Sequence, residues 1–385
     1  MSVEESAVVV IGAGQAGLSS AYFLRRFGVE AVVLDAEDGP GGAWRHRSPS
    51  LTMDKVHGIF DLPGHPKPAD GGGVRPAAEV VPAYFDAYER AAGLHVVRPV
   101  RVTSVREGAR GRLLVATDAG EWSAAALVNA TGTWTRPYWP YYPGAATFAG
   151  RRLHYADYRG PAEFAGRRVV VVGGGTSAAH VLSEIAGVAA ATAWVTRRPP
   201  VFRDDDFGED ARREAVAMVE DRVRAGLPPQ SVVAVTGLTY STVVREALAK
   251  GALHRRPMFR RITETGVEWD DGTFLACDTI VWATGFRSAL DHLAPLRLRE
   301  PGGGIRVDGT RVVRDPRVQL VGYGPSASTI GANRAGRMAA REVHRLLTTT
   351  PAPPAAALAP SAVTFAHPPA TPAPEAAASS ALPAA

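Results

Sequence analysis

Short runs of β-branched residues recur along the chain, and glycines and then an amphipathic segment follow the first of them. Residues 8–11 are apolar at every position, which predicts a buried parallel strand. Apolar residues recur at helical spacing in residues 18–27, and residues 31–34 form a second apolar run. This order of strand, glycine turn, helix and strand predicts an α/β fold built on a parallel sheet.

The same order returns from residue 167, so the pattern predicts two Rossmann-like domains of similar build, the second inserted in the first. Each copy continues into a predicted hairpin that ends in an Ala-Thr-Gly triplet: Ala130, Thr131 and Gly132 in the first copy, and Ala283, Thr284 and Gly285 in the second. The remaining predicted elements are helices at 79–93, 208–225, 240–250 and 329–347, strands at 96–105 and 318–321, and hairpins at 112–118 with 122–129 and at 267–274 with 277–282.

The repeat sets the expected domain limits. Residues 1–150 and 288–347 are predicted to form the first, discontinuous domain, and residues 151–287 the inserted one. The inserted domain contains a charged, helix-like insert at 204–261, of the kind that often forms a lid. Residues 348–385 consist mainly of Pro and Ala with almost no charge, which predicts a disordered tail.

The first glycine turn has the pattern G-x-G-x-x-G between a predicted strand and a predicted helix. Gly12 permits the tight turn, Gly14 lets the backbone approach a pyrophosphate, and Gly17 lets helix and strand pack closely. Asp35 ends the next strand, about twenty residues on, where a carboxylate accepts hydrogen bonds from a ribose. The alternative is a glycine turn without a ligand. The predicted contacts are Gly12, Ala13, Gly14, Gln15, Ala16, Gly17, Asp35 and Ala36.

The second copy differs from the first at the residue expected to contact the ribose. Gly173 and Gly175 match the first two glycines, with Thr176 and Ser177 opening the helix, but Thr196 stands where Asp35 stood and is followed by Arg197 and Arg198. A carboxylate repels a 2′-phosphate, whereas arginines bind it through charge-assisted hydrogen bonds. The second site is therefore predicted to hold NADP rather than NAD, although two solvated surface arginines are the alternative.

A glycine-rich segment after the second strand predicts backbone lying against a flat ligand. Gly42 and Ala43 precede Trp44, which we expect to form a wall of the site. Asp54 and His57 follow among apolar residues, so that segment either lines a cavity, with these two as catalytic candidates, or is a solvated loop.

Composition narrows the functional class. The 385 residues carry a net charge of +5 with basic and acidic residues interspersed, which argues against a nucleic-acid partner. No apolar run reaches the length of a membrane span, and the acidic N-terminus lacks the features of a secretory signal, so we predict a cytoplasmic protein. The single cysteine, Cys277, excludes an internal disulfide and a C-x-x-C redox pair.

The segment ahead of the second glycine turn resembles a family signature. Phe148, Gly150, His154 and Tyr158 fit F-x-G-x-x-x-H-x-x-x-(Y/F) of the flavin-containing monooxygenases at every fixed position. The related Baeyer–Villiger enzymes have Trp at the last position. The resemblance covers residues 7–347 and implies that the first domain binds FAD and the second NADPH, with no metal. His154 would orient the linker and the NADP. Val102, Gly322 and Ile330 are further expected cofactor contacts.

The resemblance also implies an activity. NADPH would reduce the flavin, which would react with O2 to a C4a-(hydro)peroxide and pass one oxygen atom to a nitrogen, a sulfur or a carbonyl of a small molecule. The alternatives are an FAD-dependent NAD(P)H reductase or oxidase without oxygen transfer and a non-catalytic dinucleotide sensor. The sequence names neither the substrate nor an oligomeric state, and a homo-oligomer is left open.

Overall fold

The computed structural model describes residues 3–56, 59–67, 73–203, 209–230, 237–327 and 329–349, with backbone only for 209–216, 329 and 330. Its α-helices are α1 Gln15–Arg26, α2 Ala77–Ala92, α3 Thr176–Ile185, α4 Glu209–Arg224, α5 Thr242–Ala249 and α6 Thr329–Thr349. Its strands are β1 Val3–Ile11, β2 Ala31–Leu34, β3 Val96–Val97, β4 Val102–Glu107, β5 Leu113–Thr117, β6 Glu121–Asn129, β7 Arg151–His154, β8 Arg168–Val172, β9 Ala191–Thr196, β10 Phe202–Arg203, β11 Leu238–Thr239, β12 Arg255–Pro257, β13 Arg261–Ile262, β14 Gly266–Glu268, β15 Phe274–Ala276, β16 Thr279–Trp282, β17 Val307–Asp308, β18 Arg311–Val312 and β19 Val318–Leu320.

The first sheet is organised around β1. Its strand order is β17-β18-β19-β6-β1-β2-β3, and β19, β6, β1, β2 and β3 run parallel. Val8, Val9 and Val10 are fully buried because both faces of the sheet are covered. β4 and β5 extend from β6 as an antiparallel meander. The carboxyl ends of β1, β2 and β6 therefore meet at one edge.

The last helix returns the chain to this sheet. β19 pairs with β6, and α6 then packs against α1. A Cβ on Gly336 would lie 2.7 Å from the Ser19 hydroxyl oxygen, so the two helices approach closely only because residue 336 is glycine. This contact places the start of α6 near the first glycine turn.

The second sheet repeats the parallel design. Its order is β12-β9-β8-β16-β7, and all neighbours are parallel. β7, which ends at His154, pairs with β16, which ends at Trp282. The signature histidine and the start of the second Ala-Thr-Gly triplet are thus adjacent.

Two predicted elements were wrong. The predicted strand 96–105 is two strands, β3 and β4, because Pro99 has no N–H to continue a ladder and the chain changes partner from β2 to β5. The predicted hairpin 267–274 with 277–282 is instead β14 with β15. Strand β16 lies between β7 and β8 as an inner strand of the second sheet, and all four of its residues are buried.

The insert 204–261 is more integrated than a separate lid. β12 extends the second sheet, and Val223 of α4 is buried in the core of the first sheet beside Tyr323. Residues 204–208 and 231–236 of the insert lie outside the described residues, as does the predicted tail from residue 350. The domain limits drawn from the sequence stay predictions.

Candidate functional site

A cavity of about 720 Å³ lies where the carboxyl ends of β1, β2 and β6 meet, the usual place for a ligand in an α/β sheet. Fourteen sequence-predicted contacts line it: Gly12, Gly14, Gln15, Ala16, Asp35, Ala36, Gly42, Ala43, Trp44, Val102, Ala130, Thr131, Gly132 and Gly322. The cavity is thus built mainly from the first domain.

The first glycine turn leaves a space that no protein atom fills. A Cβ on Gly12 would lie 2.8 Å from the carbonyl oxygen of Ala130, and one on Gly17 would lie 1.8 Å from that of Gly12. A Cβ on Gly14, in contrast, would meet nothing within 4 Å. Gly12 and Gly17 therefore serve close packing, while Gly14 borders an open cradle at the N-terminus of α1. A phosphate group fits such a cradle.

The segment after β2 runs along this cradle. A Cβ on Gly42 would lie 3.0 Å from the Cα of Gly14, and its φ is +50°, so glycine at this position favours the close approach of the two backbones. Gly42 starts a short 3-10 turn that brings Trp44 to the cavity wall.

Asp35 lies at the end of β2 with its side chain almost fully buried. Burial raises the pKa of its carboxyl, and the neighbouring Arg98 opposes that effect. The Nε of Arg98 donates to Asp35 over 3.2 Å, and its other nitrogens bind Glu89. Sequence reasoning missed this ion-paired arginine because Glu89 and Arg98 reach Asp35 only through the packing of α2 against the sheet.

A hydrogen-bonded chain forms another part of the cavity wall. His292 Nε2 lies 2.6 Å from Asn129 Oδ1, the Asn129 amide donates to Thr131 Oγ1 over 3.0 Å, and Thr131 donates to the carbonyl of Ala289 over 2.6 Å. Since the Asn129 oxygen only accepts, His292 Nε2 carries the proton. Burial lowers the pKa of His292 to about 4, so its imidazole is neutral at pH 7.

The second glycine turn has the same construction as the first. A Cβ on Gly173 would lie 2.2 Å from the carbonyl oxygen of Ala283, whereas one on Gly175 would meet nothing within 4 Å. The open space again borders a helix N-terminus, that of α3, which begins with Thr176 and Ser177. This turn lies outside the 720 Å³ cavity.

Arginines surround the end of β9. Arg197 and Arg198 are exposed, and no carboxylate of the described residues forms an ion pair with either. Arg255, on the neighbouring β12, donates from Nε to Thr196 Oγ1 over 2.9 Å. Sequence reasoning missed Arg255, because its place beside Thr196 depends on the parallel pairing of two strands far apart in the chain.

Two connections join the sheets and run side by side: the first linker follows Gly132, and the second linker follows Gly285. The N–H of Tyr138 donates to the carbonyl of Gly285 over 2.9 Å, and that of Ala289 donates to Gly132 over 3.0 Å. His154, fully buried, lies 3.1 Å through Nε2 from the same Gly285 carbonyl oxygen. Its ring also contacts Phe286, which lines the cavity. His154 is therefore placed to position the linkers.

The last residue of the signature joins the two halves of the structure. The Tyr158 hydroxyl donates to Glu184 of α3 over 2.7 Å, and the Ser50 hydroxyl donates to the same carboxylate oxygen over 2.6 Å. Lys55 lies 3.5 Å from its other oxygen. Burial alone would raise the pKa of Glu184, but His180, Ser50 and Tyr158 lower it to about 2.

Several predicted residues lie elsewhere. Ala13 and Gly17 are packed behind the cavity rather than in its lining. Asp54 is exposed and outside the lining, so the structure does not bring this catalytic candidate to the cavity. His57 lies outside the described residues, and so does the side chain of Ile330. The second-domain contacts, among them His154 and Thr284, also lie outside the lining.

Sequence reasoning missed a group of aromatic and basic residues in the cavity wall: His46, Arg47, Trp134, Phe286 and His292. Trp134 and Phe286 stack with ring centres 4.9 Å apart. Each closely follows an Ala-Thr-Gly triplet, and that repeated position was a usable signal. Arg47 and His292 carry no comparable signal in the sequence.

The described residues offer neither a reactive cysteine nor a metal site. Cys277 is buried and burial raises the pKa of its thiol to about 12, so it is not a ready nucleophile. No group of three or more His, Cys, Asp or Glu in that part of the chain could hold a metal ion. None of the described helices is both long and apolar enough to cross a bilayer.

Two glycine cradles on two parallel sheets, joined by paired linkers, define a two-dinucleotide-domain flavoprotein. Residues 9–303 match the family described as pyridine nucleotide-disulphide oxidoreductase. The chain belongs to this family and, within it, to the flavin-dependent monooxygenases. This confirms the family predicted from the signature, the fold class and the enzyme class.

Individual relatives support this membership. A flavin-containing monooxygenase from Stenotrophomonas maltophilia is 41% identical, with a TM-score of 0.78 over 90% of this chain and 100% of that one. Indole-3-pyruvate monooxygenase YUCCA1 of Oryza sativa subsp. japonica is 31% identical over 73% of this chain and 76% of its own. A cyclohexanone monooxygenase in an open form is 19% identical with a TM-score of 0.63 over 90% of this chain and 88% of that one, and shows the shared fold.

Proposed function

We propose that the protein uses FAD and NADPH to transfer one oxygen atom from O2 to a nitrogen, a sulfur or a carbonyl of a small molecule. The observation that carries this proposal is the pair of open spaces in front of Gly14 and Gly175, each at a helix N-terminus. The likeness to flavin-dependent monooxygenases supports oxygen transfer over a plain NAD(P)H reductase or oxidase.

The first domain fits FAD. The cradle at Gly14 would hold the diphosphate on backbone N–H groups and the positive end of α1. Asp35 has acceptor capacity left beside its bond to Arg98, which suits a ribose hydroxyl. Trp44, Trp134 and Phe286 offer apolar surface for a flat ring system.

The second domain fits NADPH. The cradle at Gly175 would hold its diphosphate. Arg197 and Arg198, with Arg255 beside Thr196, place positive charge where a 2′-phosphate is expected and where the first domain has Asp35.

The bound flavin supplies the reaction with O2, and the chain supplies position and exclusion of water. The aromatic wall of the cavity keeps water away from the reacting groups. His154, which contacts Phe286 and Gly285, holds the linkers so that this wall stays in place. His292 presents a neutral imidazole to the cavity and holds its proton on Nε2 toward Asn129.

The test is oxygen-transfer stoichiometry. Purified protein would be supplied with NADPH and ¹⁸O-labelled O2 and offered an amine, a sulfide, a ketone or a 2-oxo acid. The last class is included because the rice relative is named for indole-3-pyruvate. With the right class, label enters the product and hydrogen peroxide release falls. If peroxide equals the NADPH consumed with every class, the enzyme is an NADPH oxidase without oxygen transfer.

A further inference from the structure

Arg47 lies in the cavity wall between two tryptophan rings. Its guanidinium carbon is 4.3 Å from the ring centre of Trp134 and 5.4 Å from that of Trp44. The residue is partly exposed, but its Nε is buried, and burial lowers the pKa of Arg47 from its usual value. Its buried Nε has no hydrogen-bond partner, and no carboxylate in the described ranges forms an ion pair with it.

A buried cation without an anion is costly. Arg98, which lies behind the site residue Asp35, is satisfied by Asp35 and Glu89. Among the described residues, Arg47 has the two ring faces and the hydroxyl of Tyr155, which offset part of its desolvation. An oxyanion that entered the cavity would receive a charge-assisted, forked hydrogen bond from this guanidinium. The surroundings of Arg47 therefore call for an anionic ligand.

Tyr155 connects Arg47 to the second glycine turn. Its hydroxyl oxygen lies 3.2 Å from Nδ1 of His180 in α3 and is close to both Arg47 and Ser177. Ser177 is the second residue of α3, directly after the open space in front of Gly175, and the first turn of α3 contains no acidic residue. A helix N-terminus favours an anion. Tyr155 therefore lies between Arg47, a residue of the first domain, and the open space in front of Gly175 in the second domain.

We propose that Arg47 binds the diphosphate of NADP(H), so that a first-domain residue completes the site of the hydride donor. This inference rests on the proposed use of NADPH. Both NADP and NAD carry the diphosphate, so Arg47 contributes equally to the binding of either. It differs in this respect from Arg197, whose predicted partner, the 2′-phosphate, is present in NADP alone.

The experiment measures binding without turnover. FAD-loaded wild-type protein, Arg47→Met and the matched control Arg197→Met are titrated with NADP⁺ and with NAD⁺, and the flavin absorbance change gives each Kd. Arg47→Met raises both Kd values by a similar factor, roughly 10- to 100-fold for the loss of a charged hydrogen bond. Arg197→Met raises the Kd of NADP⁺ alone. If Arg47→Met does not fold, Arg47→Gln removes the same charge and is expected to behave alike.

Two results overturn the inference. The first is an unchanged Kd for both dinucleotides in a folded Arg47 variant; weaker inhibition of turnover by phenylpyruvate in that variant would then assign the guanidinium to a substrate carboxylate. The second is loss of FAD from that variant, which would assign the guanidinium to the flavin cofactor. Wild-type protein that binds neither dinucleotide would instead contradict the proposed function itself.

Discussion

The imidazole of His154 donates through Nε2 to the carbonyl oxygen of Gly285, 3.1 Å away. Its Nδ1 accepts from the backbone N–H of Ala156 over 3.1 Å, so both ring nitrogens are used and the ring is neutral. Burial lowers the pKa of His154, which strengthens that preference. The signature histidine thus fixes the second linker, next to Phe286 in the cavity wall.

We expect His154→Ala to uncouple NADPH oxidation from oxygen transfer. Loss of the bond to Gly285 frees the linker and Phe286, so water reaches the site and a larger share of NADPH ends as hydrogen peroxide. FAD content should stay near that of the wild type, because His154 does not line the first-domain cavity. The truncation should also lower stability by about 2–4 kcal/mol. Peroxide yield per NADPH and thermal unfolding check both effects.

Two control variants separate this role from general destabilisation. His154→Gln keeps a donor for the Gly285 carbonyl and should recover part of the coupling. His254→Ala removes an exposed histidine of the same domain and should change nothing. An uncoupling in His254→Ala equal to that in His154→Ala would rule out the positioning role.

Reciprocal valine substitutions in the two glycine turns test which cradle holds which cofactor. Gly14→Val places a side chain in the first open space and should abolish FAD retention, seen as loss of the yellow colour after purification. Gly175→Val places the same group in the second space, so it should retain FAD and lose NADP⁺ binding. Neither Cβ meets protein atoms within 4 Å, so both variants should fold. Full FAD occupancy in Gly14→Val would refute the first-domain assignment.

Cofactor choice should depend on Arg197. One charged hydrogen bond to the 2′-phosphate is worth on the order of 1.5–3 kcal/mol, so Arg197→Ala should raise the KM for NADPH roughly 10- to 100-fold. The KM for NADH should change little. Arg152→Ala, an exposed arginine on β7, is the control and should leave both unchanged. Equal losses with NADPH and NADH would show that Arg197 does not read the phosphate.

Stability should fall in mild acid because of His292. Burial lowers the pKa of His292 in the folded chain to about 4, below the ordinary value of 6.5. Between these two pH values the unfolded chain therefore binds a proton that the folded chain does not bind. The stabilisation linked to neutral His292 is fully present above about pH 6.5. The free energy of unfolding then falls by on the order of 3 kcal/mol as the pH decreases to about 4. Urea unfolding of the wild type and His292→Gln at several pH values measures it. Parallel pH profiles of the two proteins would contradict the assignment.

The sequence alone determined the parts whose physics is local. The apolar run of β1, the glycines of the first turn and the amphipathic pattern of α1 follow one another directly, so strand, turn and helix were predictable from adjacent residues. The second copy was visible for the same reason. The signature from Phe148 to Tyr158 identified the family, because its fixed residue spacing can be recognised without knowledge of the fold.

The tertiary structure decided which distant residues meet. Arg47 lies against Trp134, His292 against Asn129, and Arg255 against Thr196, and none of these pairs has a local signal. The sequence pattern likewise misassigned residues 277–282, which look like the second arm of a hairpin, whereas residues 279–282 form an inner strand of a parallel sheet. Periodicity reports which face of an element is apolar, whereas the partner of that face depends on strand order, and strand order is fixed only when the whole core packs.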